Sequence, residues 1–145
     1  MSLQDWLKNL WLIEHQTSRQ EISDLLKMAD RDMAQCRTPQ LSPDWRLNIA
    51  YNAALQTATA ALAAAGYRAA REAHHYRVIQ SLAHTIEADP TLINQLDKFR
   101  KKRNITEYER AGAVSEQEAK EMFALAKGLR DEVIAWIKKN HPELL

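Results

Sequence analysis

Apolar residues recur along this chain every three or four positions, and the segments with this spacing are set apart by capping and breaking residues. Ser2 opens the first, in which Trp6, Leu7, Leu10 and Trp11 share one face of a helix expected to reach about Glu14. Ser18-Arg19-Gln20-Glu21 reads as a capping box, the serine hydroxyl taking the third amide while the glutamate reaches back to the cap amide. Ile22, Leu25, Leu26, Ala29 and Met33 then trace a stripe to about Cys36. After a loop over Thr38–Pro43, Ser42-Pro43 starts a third helix, since the amide that proline lacks would have no helical partner there. That helix carries Trp45, Ile49, Ala53, Leu62 and Ala65 towards Gly66, a residue suited to a left-handed stop.

Eight alanines fill the thirteen positions Ala53–Ala65, and small side chains let neighbouring helices approach closely, which places this helix at the centre. A fourth helix is expected over about Arg71–Ala88, presenting Tyr76, Ile79, Ala83 and Ile86. Asp89-Pro90 breaks it and caps a fifth, about Thr91–Tyr108. A second capping box, Ser115-Glu116-Gln117-Glu118, opens a last helix through Met122, Phe123, Ala126, Leu129, Val133, Trp136 and Ile137 to near Asn140-His141-Pro142. No segment alternates with period two. The prediction is an all-α, antiparallel up-and-down bundle of five to six helices.

Composition narrows the class. A chain of 145 residues suits one domain, 1–145, with a core that needs no disulfide or metal. One cysteine, Cys36, excludes an intramolecular disulfide and fits a reducing, cytoplasmic setting. The longest small-apolar run, Ala53–Ala65, is broken by Gln56, Thr57 and Thr59, and Met1–Glu14 lacks a signal-peptide core, so no membrane partner is expected. Dinucleotide, Walker A, zinc-protease and hydrolase-elbow motifs are missing, and no cofactor is expected. Twenty Lys and Arg against nineteen Asp and Glu leave a formal charge of +1, so affinity for a polyanion must come from a local patch.

Such a patch exists. Lys98, Arg100, Lys101, Lys102 and Arg103 put five cations into six residues. On a helix, Arg100, Asn104 and Tyr108 fall on one stripe, and Arg103 and Glu107 share the next. These residues form a phosphate-binding surface, or else a solvated face with an Arg103–Glu107 pair worth only ~0.3–0.5 kcal/mol. His74, His75 and His84 invite a metal, but adjacent helical residues diverge by ~100° and ten residues of helix span ~15 Å, so no metal site is expected. Arg31 and Arg37 flank Cys36 in sequence and could lower its pKa, though a half-buried thiol explains the residue as well. The four tryptophans, Trp6, Trp11, Trp45 and Trp136, sit at apolar positions and read as core or dimer packing.

At Arg103-Asn104-Ile105-Thr106-Glu107-Tyr108 the chain resembles the HEPN superfamily (higher eukaryotes and prokaryotes nucleotide-binding domains), whose motif is Arg, a polar residue, a short gap and His. The resemblance extends over about residues 43–137. The Asn48–Tyr67 helix, with Ala-Tyr-Asn-Ala near its start and Ala-Gly-Tyr at its end, looks like the long second helix of those domains. The His75–Ile86 segment, and the place of Arg103 before a final helix, also fit.

This likeness implies a helical homodimer of a toxin–antitoxin or defence-type system that binds RNA or nucleotide, with a cognate nucleotidyltransferase-type partner. Carried over by position, Arg103 matches the motif arginine, Asn104 the polar residue, and Tyr108 stands where the family has histidine. A phenol with an ordinary pKa near 10 is a poor general base at neutral pH, so the resemblance implies binding more than efficient catalysis. Three alternatives stay open. One is a metal-independent endoribonuclease using Arg103, Asn104 and Tyr108, and another a plain DNA- or RNA-binding module. In the third, the basic cluster holds a partner protein's acidic surface.

Overall fold

The computed structural model describes the chain outside residues 109–111, and its side chains outside residues 105–111. Ser2 caps α1 (Leu3–Lys8) with a complete box: its hydroxyl accepts from the Asp5 amide at 3.2 Å and its own amide donates to Asp5 Oδ2 at 2.8 Å. The helix then stops, short of the expected Glu14. Leu10 takes a left-handed conformation (φ 63°) and is exposed, and the chain turns back so that Trp11 meets Trp6 edge-to-face at 5.8 Å. Leu12–Glu14 forms a strand, β1, that pairs antiparallel with β2 (Tyr67–Ala69), Leu12 opposite Ala69 and Glu14 opposite Tyr67. His15 N donating to Gly66 O and Ala70 N donating to Trp11 O, both at 2.9 Å, extend the ladder at its two ends.

Ser18 caps α2 (Arg19–Gln35) through the Glu21 amide at 3.1 Å, but the expected box is only half made. The Glu21 carboxylate turns away to Thr17 Oγ1 at 2.6 Å and His15 Nε2 at 2.7 Å, tying the helix start to the end of β1. Ser42 and Pro43 open α3 (Pro43–Ala64) as expected, and Gly66 follows at φ 99°, a conformation open to glycine at no steric cost. The alanine run is buried from Ala60 to Ala64, and α3 packs chiefly against α2 and against α6 (Glu116–Asn140). The alanines therefore do place this helix at the centre.

The fourth helix is shorter than expected: α4 covers His74–Ser81 only. Arg71-Glu72-Ala73 offers no capping side chain, Ala73 enters left-handed at φ 53°, and Tyr67–Ala69 is spent in the sheet. Turns follow to Ile86, and Glu87 is again left-handed at φ 54°. Asp89 Oδ1 then accepts from the Thr91 amide at 2.7 Å as α5 (Pro90–Tyr108) begins. The box at Ser115 and Glu118 is complete, and a 3-10 turn, Pro142–Leu144, follows α6.

Among the described residues the chain is mostly helical, with six α-helices and one sheet of two three-residue strands. The class is all-α, with the sheet as a local correction. No described helix is long and apolar enough to cross a membrane. Two expectations about single side chains also change. Trp45, expected in packing, is 61% exposed at the start of α3. Cys36 is buried, and burial pushes its thiol up to about 11, with Asp32 adding to the rise, so the neighbouring arginines do not activate it.

Candidate nucleic-acid interface

Ile93, Leu96 and Phe99 fix α5 against the core, so the remaining faces of that helix carry the basic turn. The five cations do not form one surface. Lys98, Lys101 and Lys102 line a groove with Asn94, Asp97 and Glu118. Lys101 Nζ lies 3.5 Å from Asp97 and Lys102 Nζ 3.5 Å from Glu118, whose carboxyl is held below its ordinary range by the Ser115 amide and then by Lys102. Arg100 turns the other way, while its Nε donates to Asp97 Oδ1 at 2.7 Å. One aspartate thus links the two sides of the turn.

Arg100 and Asn104 join Ala73, His74, His75 and Tyr76 around a cleft of about 460 Å³. The sheet and the abrupt start of α4 bring this about: with the chain held in β2, the helix begins at His74 and points its first turn at α5. The His74 and His75 rings are 6.0 Å apart, and His75 lies 6.1 Å from the ring of Tyr51 on α3. The Arg103 guanidinium sits 5.4 Å from the Tyr51 ring centroid. Burial raises the Tyr51 phenol to about 12, against the opposing pull of Arg103 and Arg100, so it stays neutral.

A second row of contacts leads away from the cleft. Arg100 lies 5.5 Å from the Tyr76 ring, Arg77 lies 5.6 Å from the same ring, and Arg77 stacks 3.7 Å from the Trp11 ring. Arginine and aromatic side chains alternate from α5 to the turn before β1, each guanidinium against a π face.

Of the residues expected from sequence, Arg100 and Asn104 line this cleft, Arg103 lies over the Tyr51 ring outside its lining, and Lys98, Lys101 and Lys102 face the neighbouring groove. The side chains of Tyr108 and Glu107 lie outside the described residues, and with them the Arg103–Glu107 pair. His74, His75, Tyr76 and Tyr51 are additions that only the folded chain supplies. Their adjacency to Arg100 and Arg103 depends on a helix start that no capping residue marks. Among the described residues no group of three His, Cys, Asp or Glu is placed to hold a metal ion.

One guanidinium fork, a carboxamide, two imidazoles and an exposed phenol ring in one cleft can hold a phosphate and stack a flat ring beside it. No family model, no curated protein and no solved structure matches the chain.

Proposed function

We propose that this protein is a HEPN-like homodimer that binds single-stranded RNA or nucleotide within a toxin–antitoxin or defence-type pair, without efficient ribonuclease activity. The observation that carries this is the meeting of Arg100 and Asn104 with His74, His75 and Tyr76 around one cleft. Arginine holds phosphate oxygens in a planar fork, and Tyr76, 38% exposed, offers a ring to a base. Such stacking is worth about 1–3 kcal/mol per base and tolerates any base identity. With a net charge of only +1, attraction to RNA is local to this turn and its neighbours. The resemblance at Arg103–Tyr108 adds the homodimer, in which two basic turns share one cleft, and a nucleotidyltransferase-type partner protein.

The test is fluorescence anisotropy of a labelled single-stranded RNA titrated with the protein between 50 and 300 mM salt. Log affinity should fall linearly with log salt, by about 0.7 per phosphate contact for a single strand. Arg100→Ala should weaken binding throughout. Absence of binding at the lowest salt, or binding indifferent to salt, rejects the proposal.

One observation favours the metal-independent endoribonuclease as a second reading: imidazoles, the side chains best suited to proton transfer near neutrality, stand in the same cleft as Arg100 and Asn104. Arg103 and Asn104 would then hold the scissile phosphate, and the resemblance adds Tyr108 as the third residue of the motif. Cleavage of mixed RNA should proceed in EDTA and vanish in Arg103→Ala. RNA left intact by the wild type rejects this reading and leaves the binding proposal standing.

A further inference from the structure

We propose that the cleft between the α2–α3 connection and the first turns of α6 binds a small aromatic anion. It shares no lining residue with the α4–α5 cleft and has a volume of about 570 Å³. That lies within the ~300–1,000 Å³ of small-molecule sites and far exceeds what a bare inorganic ion fills.

The lining divides into two chemistries. Leu41, Ala119 and Phe123 supply an apolar wall, and the Cys36 thiol, kept protonated by burial, adds no negative charge to it. Arg37, Arg46 and Lys120 supply three cations against the single carboxylate of Glu116. The excess of two positive charges favours an anion, and the apolar wall favours a flat hydrocarbon body attached to it.

Arg46 is the anchor. Its Nη2 donates to Glu116, and its buried Nε has no hydrogen-bond partner among the described residues. The Arg46 side chain keeps 21% of its surface exposed at the cleft, and that part can meet a ligand oxygen in a charge-assisted hydrogen bond. Glu116 closes one side of the cleft but its side chain is 65% exposed, so its surface pair with Arg46 can yield to a ligand carboxylate or sulfonate at little cost. Arg37 lies 5.4 Å from the Phe123 ring centroid, and this pair forms a flat cationic and aromatic edge.

The test uses the full chain and 8-anilinonaphthalene-1-sulfonate, followed by its fluorescence. Saturable binding at one site is expected, displaced by naphthalene-1-sulfonate. N-phenyl-1-naphthylamine, with the same rings and no sulfonate, should bind about tenfold weaker or worse. Phe123→Ala and the exposed charge reversal Lys120→Glu should each weaken the sulfonate by about tenfold, while Arg100→Ala should leave it unchanged. Should Phe123→Ala fail to fold, Lys120→Glu decides alone, its folding checked by far-UV circular dichroism. Equal affinity for the neutral probe, unchanged affinity in Lys120→Glu, or no saturable binding overturns the proposal. Loss of sulfonate binding in Arg100→Ala also overturns it, because the anion would then sit at the α4–α5 cleft.

Discussion

The guanidinium of Arg103 lies over the ring of Tyr51, 5.4 Å from its centroid, so the last cation of the basic turn rests on the alanine-rich central helix. The phenol beneath is 1% exposed, and its hydroxyl has no hydrogen-bond partner among the described residues. Ring and hydroxyl therefore make opposite contributions. Tyr51→Phe keeps the π face under Arg103 and removes an unsatisfied buried group, so stability should change by under about 1 kcal/mol or rise. Tyr51→Ala leaves a cavity and should cost about 3–5 kcal/mol. Urea unfolding of both variants measures the difference. A large loss in the phenylalanine variant would show that the hydroxyl is bonded after all.

Burial also couples the fold's stability to alkaline pH through two groups. The Cys36 thiol rises from 9.0 to about 11 and the Tyr51 phenol from 10.0 to about 12, both chiefly because the charged form is desolvated. Above pH 9 the unfolded chain releases the thiol proton while the folded one keeps it, so stability falls as pH rises. The contribution of Cys36 is complete below pH 9 and lost as pH climbs through 11, and that of Tyr51 follows one unit higher. Cys36→Ala should flatten the decline between pH 9 and 10, whatever its cost at neutral pH. Unfolding free energies at pH 7.5, 9 and 10 would decide this, and a decline as steep as that of the wild type would clear the thiol.

Asp97 restrains the basic turn, accepting from Arg100 Nε at 2.7 Å and lying 3.5 Å from Lys101 Nζ. Asp97→Asn removes the carboxylate between the cleft and the lysine groove while keeping the side-chain volume. Affinity for single-stranded RNA should rise several-fold at 50 mM salt, and the gain should shrink as salt screens the added field. Stability should drop by no more than about 1 kcal/mol, because only surface and half-buried pairs are lost. Anisotropy titrations of both proteins at two salt concentrations check the point. Weaker binding by the variant would mean that Asp97 holds Arg100 in its binding position.

Caps and periodicity made much of this fold legible in the sequence. Ser2, Ser18, Ser42, Asp89 and Ser115 all cap the helices they precede, and Gly66 takes its left-handed turn. What could not be read was held together across distance. Leu12–Glu14 and Tyr67–Ala69 are too short to show alternation, and each is a strand only because the other is there. The same holds for the candidate site. Arg100, Arg103 and Asn104 stood out as local charge and motif, but the spacing of His74 and His75 spoke only against a shared metal. It said nothing of α5, which the shortened α4 brings to their side. The basic run likewise concealed its own division, since Asp97 and Glu118 split it into a lysine groove and an arginine cleft.

Stacking and phosphate neutralisation can be separated because only the second releases counterions. Tyr76 carries no charge and lies between Arg77 and Arg100, whereas Lys101 is exposed on the neighbouring groove. Tyr76→Ala should lower RNA affinity by about 1–3 kcal/mol at every salt concentration and leave the slope of log affinity against log salt unchanged. Lys101→Ala should have a smaller effect at high salt and reduce that slope by about 0.7, one single-strand phosphate contact. Parallel anisotropy titrations over 50–300 mM salt measure both quantities. If Tyr76→Ala alters the slope while Lys101→Ala does not, the strand does not follow the lysine groove, and the ring acts by holding Arg77 and Arg100 rather than by stacking on a base.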